Sequence, residues 1–182
     1  MLRYIALLAA FTLLQGCGIT MTRYEPDYDN LAKLRAQMPL QTMAEPQADA
    51  APGEDSVLVR NNPIRSPSGS RSGHLQQALN SELQAAGLLQ SDAPQRLHAH
   101  IRSTDLNSAL FGQGRGHLQV DFELRRGQAV AYSSSKRVEH VWDSNFIGAI
   151  AIPRAANAYN TLVRKLLAEL YADPAFIAAL KP

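Results

Sequence analysis

The chain reads as an α+β domain: a mostly antiparallel sheet of four to five strands with two main helices packed on one face. Three observations predict this. From His117 to Leu124 apolar and polar residues alternate strictly, with Leu118, Val120, Phe122 and Leu124 on one side and His117, Gln119, Asp121 and Glu123 on the other, the period of a half-buried strand. The short connection at residues 125–128 leads into a further alternating run over residues 129–142, so the two runs pair as an antiparallel hairpin. By contrast, Leu75, Ala78, Leu79, Leu83 and Ala86, and later Ala155, Tyr159, Leu162, Val163, Leu166 and Leu170, recur at three and four residues. That spacing belongs to helices that each bury one stripe.

The chain divides into three parts. Residues 1–16 hold one positive charge at Arg3 and an apolar run from Ile5 to Leu14 broken only by Thr12, the pattern of a secretory signal peptide. That run is about half the length of a membrane-spanning helix. Residues 17–53 show no sustained period and are punctuated by Pro26, Pro39, Pro46 and Pro52, so they read as a mostly irregular tether. Within it, Leu31, Leu34 and Met38 are spaced for one short helix, and residues 40–44 for a first strand. Residues 54–182 form the single α+β domain. There Ser56 to Arg60 reads as a strand ending at the turn-rich Asn61-Asn62-Pro63, and residues 66–73 as a Ser/Gly-rich loop. Gly87 is placed to end the first main helix, with Leu88 folding back over its last turn. Residues 96–104 alternate again, with Leu97, Ala99 and Ile101 opposite His98, His100 and Arg102, and Gly112-Gln113-Gly114-Arg115-Gly116 reads as the turn into the hairpin. Pro153 fits the first turn of the long helix, and Asp173-Pro174 stops it and caps a final short helix running through Leu180.

Charge and composition narrow the function classes. A formal net charge of +2 with scattered basic residues gives no electrostatic footprint for nucleic acid, and no nucleic-acid partner is expected. The one cysteine, Cys17, has no disulfide partner within the chain, so about 166 residues beyond the signal must fold without covalent staples. Leu14-Gln15-Gly16-Cys17 resembles the lipobox of bacterial lipoproteins, which implies cleavage before Cys17 and acylation of its sulfur and new amino group. Gly18, where an Asp favours inner-membrane retention in that pattern, implies the outer membrane, with the domain facing the periplasm. The membrane, reached through the lipid anchor, is the first expected partner.

Two groups of residues are candidates for a site. His98, His100, His117 and Asp121 share the wet face of adjacent strands, where imidazole and carboxylate together suit a divalent metal. A wet strand face also places polar residues two apart with no ligand at all, and solvated cross-strand pairing is the plainer reading. Residues 146–152, Phe-Ile-Gly-Ala-Ile-Ala-Ile, lack any polar side chain and fit neither a helix stripe nor a half-buried strand. Burial between sheet and helix explains them. So does an exposed surface for a protein partner or a membrane, with Trp142, Phe146, Ile147, Ile150 and Ile152 as the contact residues. No serine sits in a Gly-x-Ser-x-Gly elbow, so no enzymatic activity and no cofactor are expected.

The run from Trp142 to Pro153, the Tyr159 beyond it and the Asp173-Pro174-x-Phe176 motif resemble a group of small, functionally uncharacterised proteobacterial envelope lipoproteins. The resemblance covers most of the chain from Arg60 onward. It implies an address and a fold and brings no catalytic residue with it. A lipid anchor followed by a small α/β domain is also similar, at the level of fold analogy, to lipoproteins that assist outer-membrane or transporter assembly. The expected function is a non-enzymatic envelope lipoprotein that binds a protein partner or a lipid in building or maintaining the outer membrane. The alternative is a periplasmic small-ligand or metal-binding module using the open sheet face.

Overall fold

The computed structural model describes residues 19–109 and 111–182. The signal peptide and Cys17 lie outside the described residues.

Four strands form the main sheet in the order β2-β5-β6-β7: β2 (Ala44–Ala50), β5 (Gln95–Asn107), β6 (Gln113–Arg126) and β7 (Ala129–Asp143). β5 with β6 and β6 with β7 are antiparallel, while β2 lies parallel to β5. The sheet is therefore mixed, with antiparallel pairs in the majority. A second, three-stranded sheet has the order β1-β4-β3, from β1 (Ile19–Thr20), β3 (Val57–Val59) and β4 (Asn62–Arg65). Among the described residues four helices complete the fold: α1 (Tyr28–Ala36), α2 (Arg71–Ala85), α3 (Gly148–Ala172) and α4 (Pro174–Leu180).

The alternation in sequence becomes a two-faced sheet. Leu97, Ala99 and Ile101 of β5 and Leu118, Val120, Phe122 and Leu124 of β6 are all fully buried, and the helical stripes Leu75, Leu79 and Leu83 and Tyr159, Leu162, Val163, Leu166 and Leu170 cover them. The opposite face carries His98, His100, Asp121 and Glu123 at partial exposure. α2 ends as its glycine requires. Gly87 sits at φ +76°, its N–H donates to Gln84 O at 3.0 Å, and Leu88 N–H donates to Leu83 O at 2.8 Å, which satisfies two carbonyls the helix end would otherwise leave open. At the other terminus Ser70 Oγ accepts from Gly73 N at 3.0 Å, so the helix starts inside the stretch expected as loop. Asp173 closes α3 and caps α4, accepting from Ala175 N at 2.8 Å. Lys136, bonded to that carboxylate at 2.6 Å, and the Tyr132 hydroxyl at 2.8 Å hold it down to about 2.

Residues 17–53 are not mostly tether: from Ile19 onward they belong to the domain. Met21, Tyr24, Leu34 and Met43 are buried in the core, and polar bonds fasten this stretch down. The Tyr24 hydroxyl donates to Glu82 Oε1, which also accepts from Asp27 N and Asn30 Nδ2, each at 3.2 Å. Asn160 Nδ2 donates to Thr22 O at 3.0 Å. With its amide so oriented, Asn160 Oδ1 accepts from His74 Nε2 at 2.6 Å, leaving His74 Nδ1 to accept from Ser66 Oγ at 3.2 Å. That is the neutral imidazole, in keeping with the burial that lowers its pKa. The first strand of the main sheet runs over Ala44–Ala50 rather than residues 40–44, because β5 offers its backbone there. The register skips between Ala44 and Gln47, which places Pro46, with no N–H to give, at an irregularity instead of inside the ladder.

Candidate functional site

The open sheet face does not assemble the expected metal set. His98 and His100 both turn toward Asp49 of β2, His98 Nε2 at 3.4 Å from Oδ2 and His100 Nδ1 at 2.5 Å from Oδ1. Asp121 is taken by Arg102, whose Nε lies 2.5 Å from Oδ2. His117 stands opposite Asp105, whereas Asp121 stands opposite His100. The two positions are four residues apart on β6, about 13 Å along the strand. His117 Nε2 approaches Ser103 Oγ at 3.3 Å instead. Among the described residues no group of three or more His, Cys, Asp and Glu side chains is arranged to hold a metal ion. The face is a ladder of cross-strand polar pairs, and its ordering residue Asp49 sits in the stretch that reads from sequence as tether.

The apolar run divides. α3 begins at Gly148, so Pro153 lies inside the helix rather than in its first turn. The missing N–H of Pro153 leaves the carbonyl of Ala149 unbonded within the helix, and Ala149 is exposed to water. Ala151 and Ile152 fall on the buried stripe with Ala155 and Ala156. Phe146, Ile147 and Ile150 remain 63%, 44% and 38% exposed. Trp142 and Ile152, expected among the contact residues, therefore belong to the packing. Trp142 is half-buried over Gly114, where an added Cβ would lie 2.4 Å from its Cε2. Ile152 is buried in the core. Gly114 and Gly116 are thus strand residues of β6 chosen for close approach, and only Gly112, at φ +78°, forms the turn.

A further aromatic completes the exposed patch. Phe111, in the loop between β5 and β6, is 77% exposed, and its ring stacks on Phe146 with centroids 6.1 Å apart at 24°. The loops carrying the two rings are fastened by one side chain. Arg60 Nε donates to Ser108 O at 3.1 Å, Nη1 to Phe146 O at 3.2 Å and Nη2 to Asn145 O at 2.7 Å, with Ala109 O as a further acceptor. Ser144 Oγ donates to Ala109 O at 2.7 Å and ties the same loops together. Arg60 and Asn61 form the two-residue turn between β3 and β4, at φ 50° and 60°. Asn tolerates this left-handed region, while for Arg it is strained, and the four carbonyl bonds hold it there. The result is a rigid end of the domain presenting two phenyl rings and two isoleucines to solvent, with no nucleophile, acid or base among them.

No protein-family model matches the chain, and no curated protein is significantly similar to it. A solved structure does share its fold. A Xanthomonas campestris protein of the domain family of unknown function DUF330 superposes with a TM-score of 0.62 at 14% identity, over 87% of this chain and 95% of its own. A candidate lipoprotein of Caulobacter crescentus aligns with a TM-score of 0.43 at 14% identity, over 82% of this chain and 96% of its own. Neither description names an activity.

Proposed function

We propose that the protein is a non-enzymatic, lipid-anchored envelope lipoprotein whose domain binds a protein partner or a lipid in building or maintaining the outer membrane. The observation that carries this reading is the exposed apolar end formed by Phe111, Phe146, Ile147 and Ile150. Apolar side chains gathered on rigid, hydrogen-bonded loops mark an interaction surface, since water gains nothing from them. The lipobox-like Leu14-Gln15-Gly16-Cys17 supports the anchor, and Gly18 supports the outer-membrane address.

Ile150→Asp tests it, with Ile147→Asp alongside. At these exposed positions a carboxylate stays hydrated, so both variants fold and melt like the parent. The surface they disrupt then shows as loss of envelope function or of a crosslinked partner in intact cells. A folded Ile150→Asp protein that keeps every partner and phenotype overturns the reading. So does one that unfolds, because that result would place Ile150 in the core.

A further inference from the structure

Two features of the fold meet at one end of the molecule. One is the apolar patch, held by Arg60. The other is the point where the chain from Cys17 enters the domain. β1 runs parallel to β4, with Ile19 opposite Ile64 and Thr20 opposite Arg65, and β4 leads directly out of the Arg60-Asn61 turn. Ile19 is therefore the end of β1 nearer that turn, whose arginine grips the carbonyls of Ala109, Asn145 and Phe146. α3 gives the same level independently. Thr22 meets Asn157 and Asn160, with Thr22 Oγ1 3.2 Å from Asn157 Oδ1. The extended chain from Thr22 back to Ile19 spans at most about 10 Å, and the seven residues from Asn157 back to Ile150 cover about the same length of helix. Further on, Asn30 Nδ2 meets Arg164 O, so this segment runs along α3 in the same direction and Ile19 lies toward the N-terminus of α3, the end that carries Ile150. Cys17 precedes Ile19 by two residues in sequence, a reach of at most about 7 Å.

We infer that the phospholipid surface holding the acyl chains of Cys17 is also what covers Phe111, Phe146, Ile147 and Ile150, so that the domain sits on the bilayer by its apolar end. The inference rests on the reading proposed above and names the occupant of its surface. The short reach from Cys17 to Ile19 carries the choice of a bilayer over a protein groove: an anchor this close leaves little space between the membrane and this end. The patch fits that position chemically. Its four side chains are uncharged rings and branched aliphatics, and Arg154, exposed on α3 four residues after Ile150, sits one turn behind them, at the height where a cation meets lipid phosphate. The β6–β7 hairpin then stands away from the membrane. Its far turn at Gly127 is fourteen strand residues distant, about 45 Å, and the polar sheet face stays free.

The test uses the acylated full-length protein in vesicles of phosphatidylethanolamine and phosphatidylglycerol. Because Cys17 carries the lipid, single nitroxide labels can be placed through Phe111→Cys, Ile150→Cys and, as a control beside the far hairpin turn, Val130→Cys. Collision with oxygen relative to a water-soluble nickel complex is expected to rise several-fold at 111 and 150 and to stay at the aqueous value at 130. Labels at 111 and 150 as accessible to nickel as the label at 130 overturn the inference. A Phe146→Ser/Ile150→Ser variant in cells then separates the two claims. If the labels report water and the variant still loses envelope function, the occupant is a protein and only the bilayer assignment falls. If the labels report water and the variant behaves like the parent, the interaction surface falls as well.

Discussion

Glu82 shows how a single buried carboxyl sets a pH dependence. Burial raises its pKa above the ordinary 4.5, against the bonds from Tyr24, Asn30 and Asp27 that favour the ionised form. Between 4.5 and the raised folded value the native state binds the extra proton, so Glu82 withdraws stability as pH rises through that interval. Glu82→Gln keeps an oxygen acceptor for Tyr24 and removes the titration. Denaturant melts at pH 4 and pH 7 should therefore show the variant gaining on the parent as pH rises. A difference that stays flat would mean that Glu82 titrates alike folded and unfolded. His74, buried and lowered, acts in the opposite direction: the unfolded chain takes up its proton first as pH falls below 6.5, which costs stability there. Both proteins contain it, so it cancels in the comparison.

At the scale of elements, the hairpin and the long helix carry the clearest expectations. Gly114→Ala sets a methyl group 2.4 Å from Trp142 Cε2, and strand backbone leaves it nowhere to turn. A loss of about 1–3 kcal/mol, with a red shift of the fluorescence of the one tryptophan, would report the ring pushed toward water. Leu166→Ala removes a fully buried side chain of α3 and should cost about 2–5 kcal/mol. A loss near zero in denaturant melts would mean that this stripe faces no core. Elements of this kind were legible in the sequence because burying one face forces a period, as in Leu118 to Leu124 and Leu75 to Ala86. β2 was not, although Ala44, Pro46, Ala48 and Ala50 do alternate with Glu45, Gln47 and Asp49. Its apolar residues are small, Pro46 reads as a breaker, and its place is fixed by backbone pairing to β5. The site was legible by half. An unpatterned apolar run pointed to Phe146, Ile147 and Ile150, but where α3 would start, and hence which residues turn inward, depends on the packing of Ala151 and Ile152. Nothing local marked Phe111 or Arg60, which acquire their roles only when distant loops meet.

For the molecule as a whole, attachment to the membrane is expected to depend on one residue. No helix among the described residues is long and apolar enough to cross a membrane. Cys17→Ser should therefore release the protein into the soluble fraction, since an apolar patch alone binds only reversibly. Quantitative sedimentation of that variant with outer membranes would show that something other than acylation holds it. The closure of the domain upon itself has a separate outcome, one of timing. Its first and last described segments are fastened to each other: Asn30 Nδ2 donates to Arg164 O at 3.2 Å, Gln41 N to Leu180 O at 2.7 Å, and Lys181 Nζ to Gln37 O. A chain delivered N-terminus first, from a ribosome or through a membrane channel, keeps the buried face of α1 with Leu34 without its α3 partner until α3 has arrived. Such late contacts slow folding and give chaperones and proteases the whole transit in which to act.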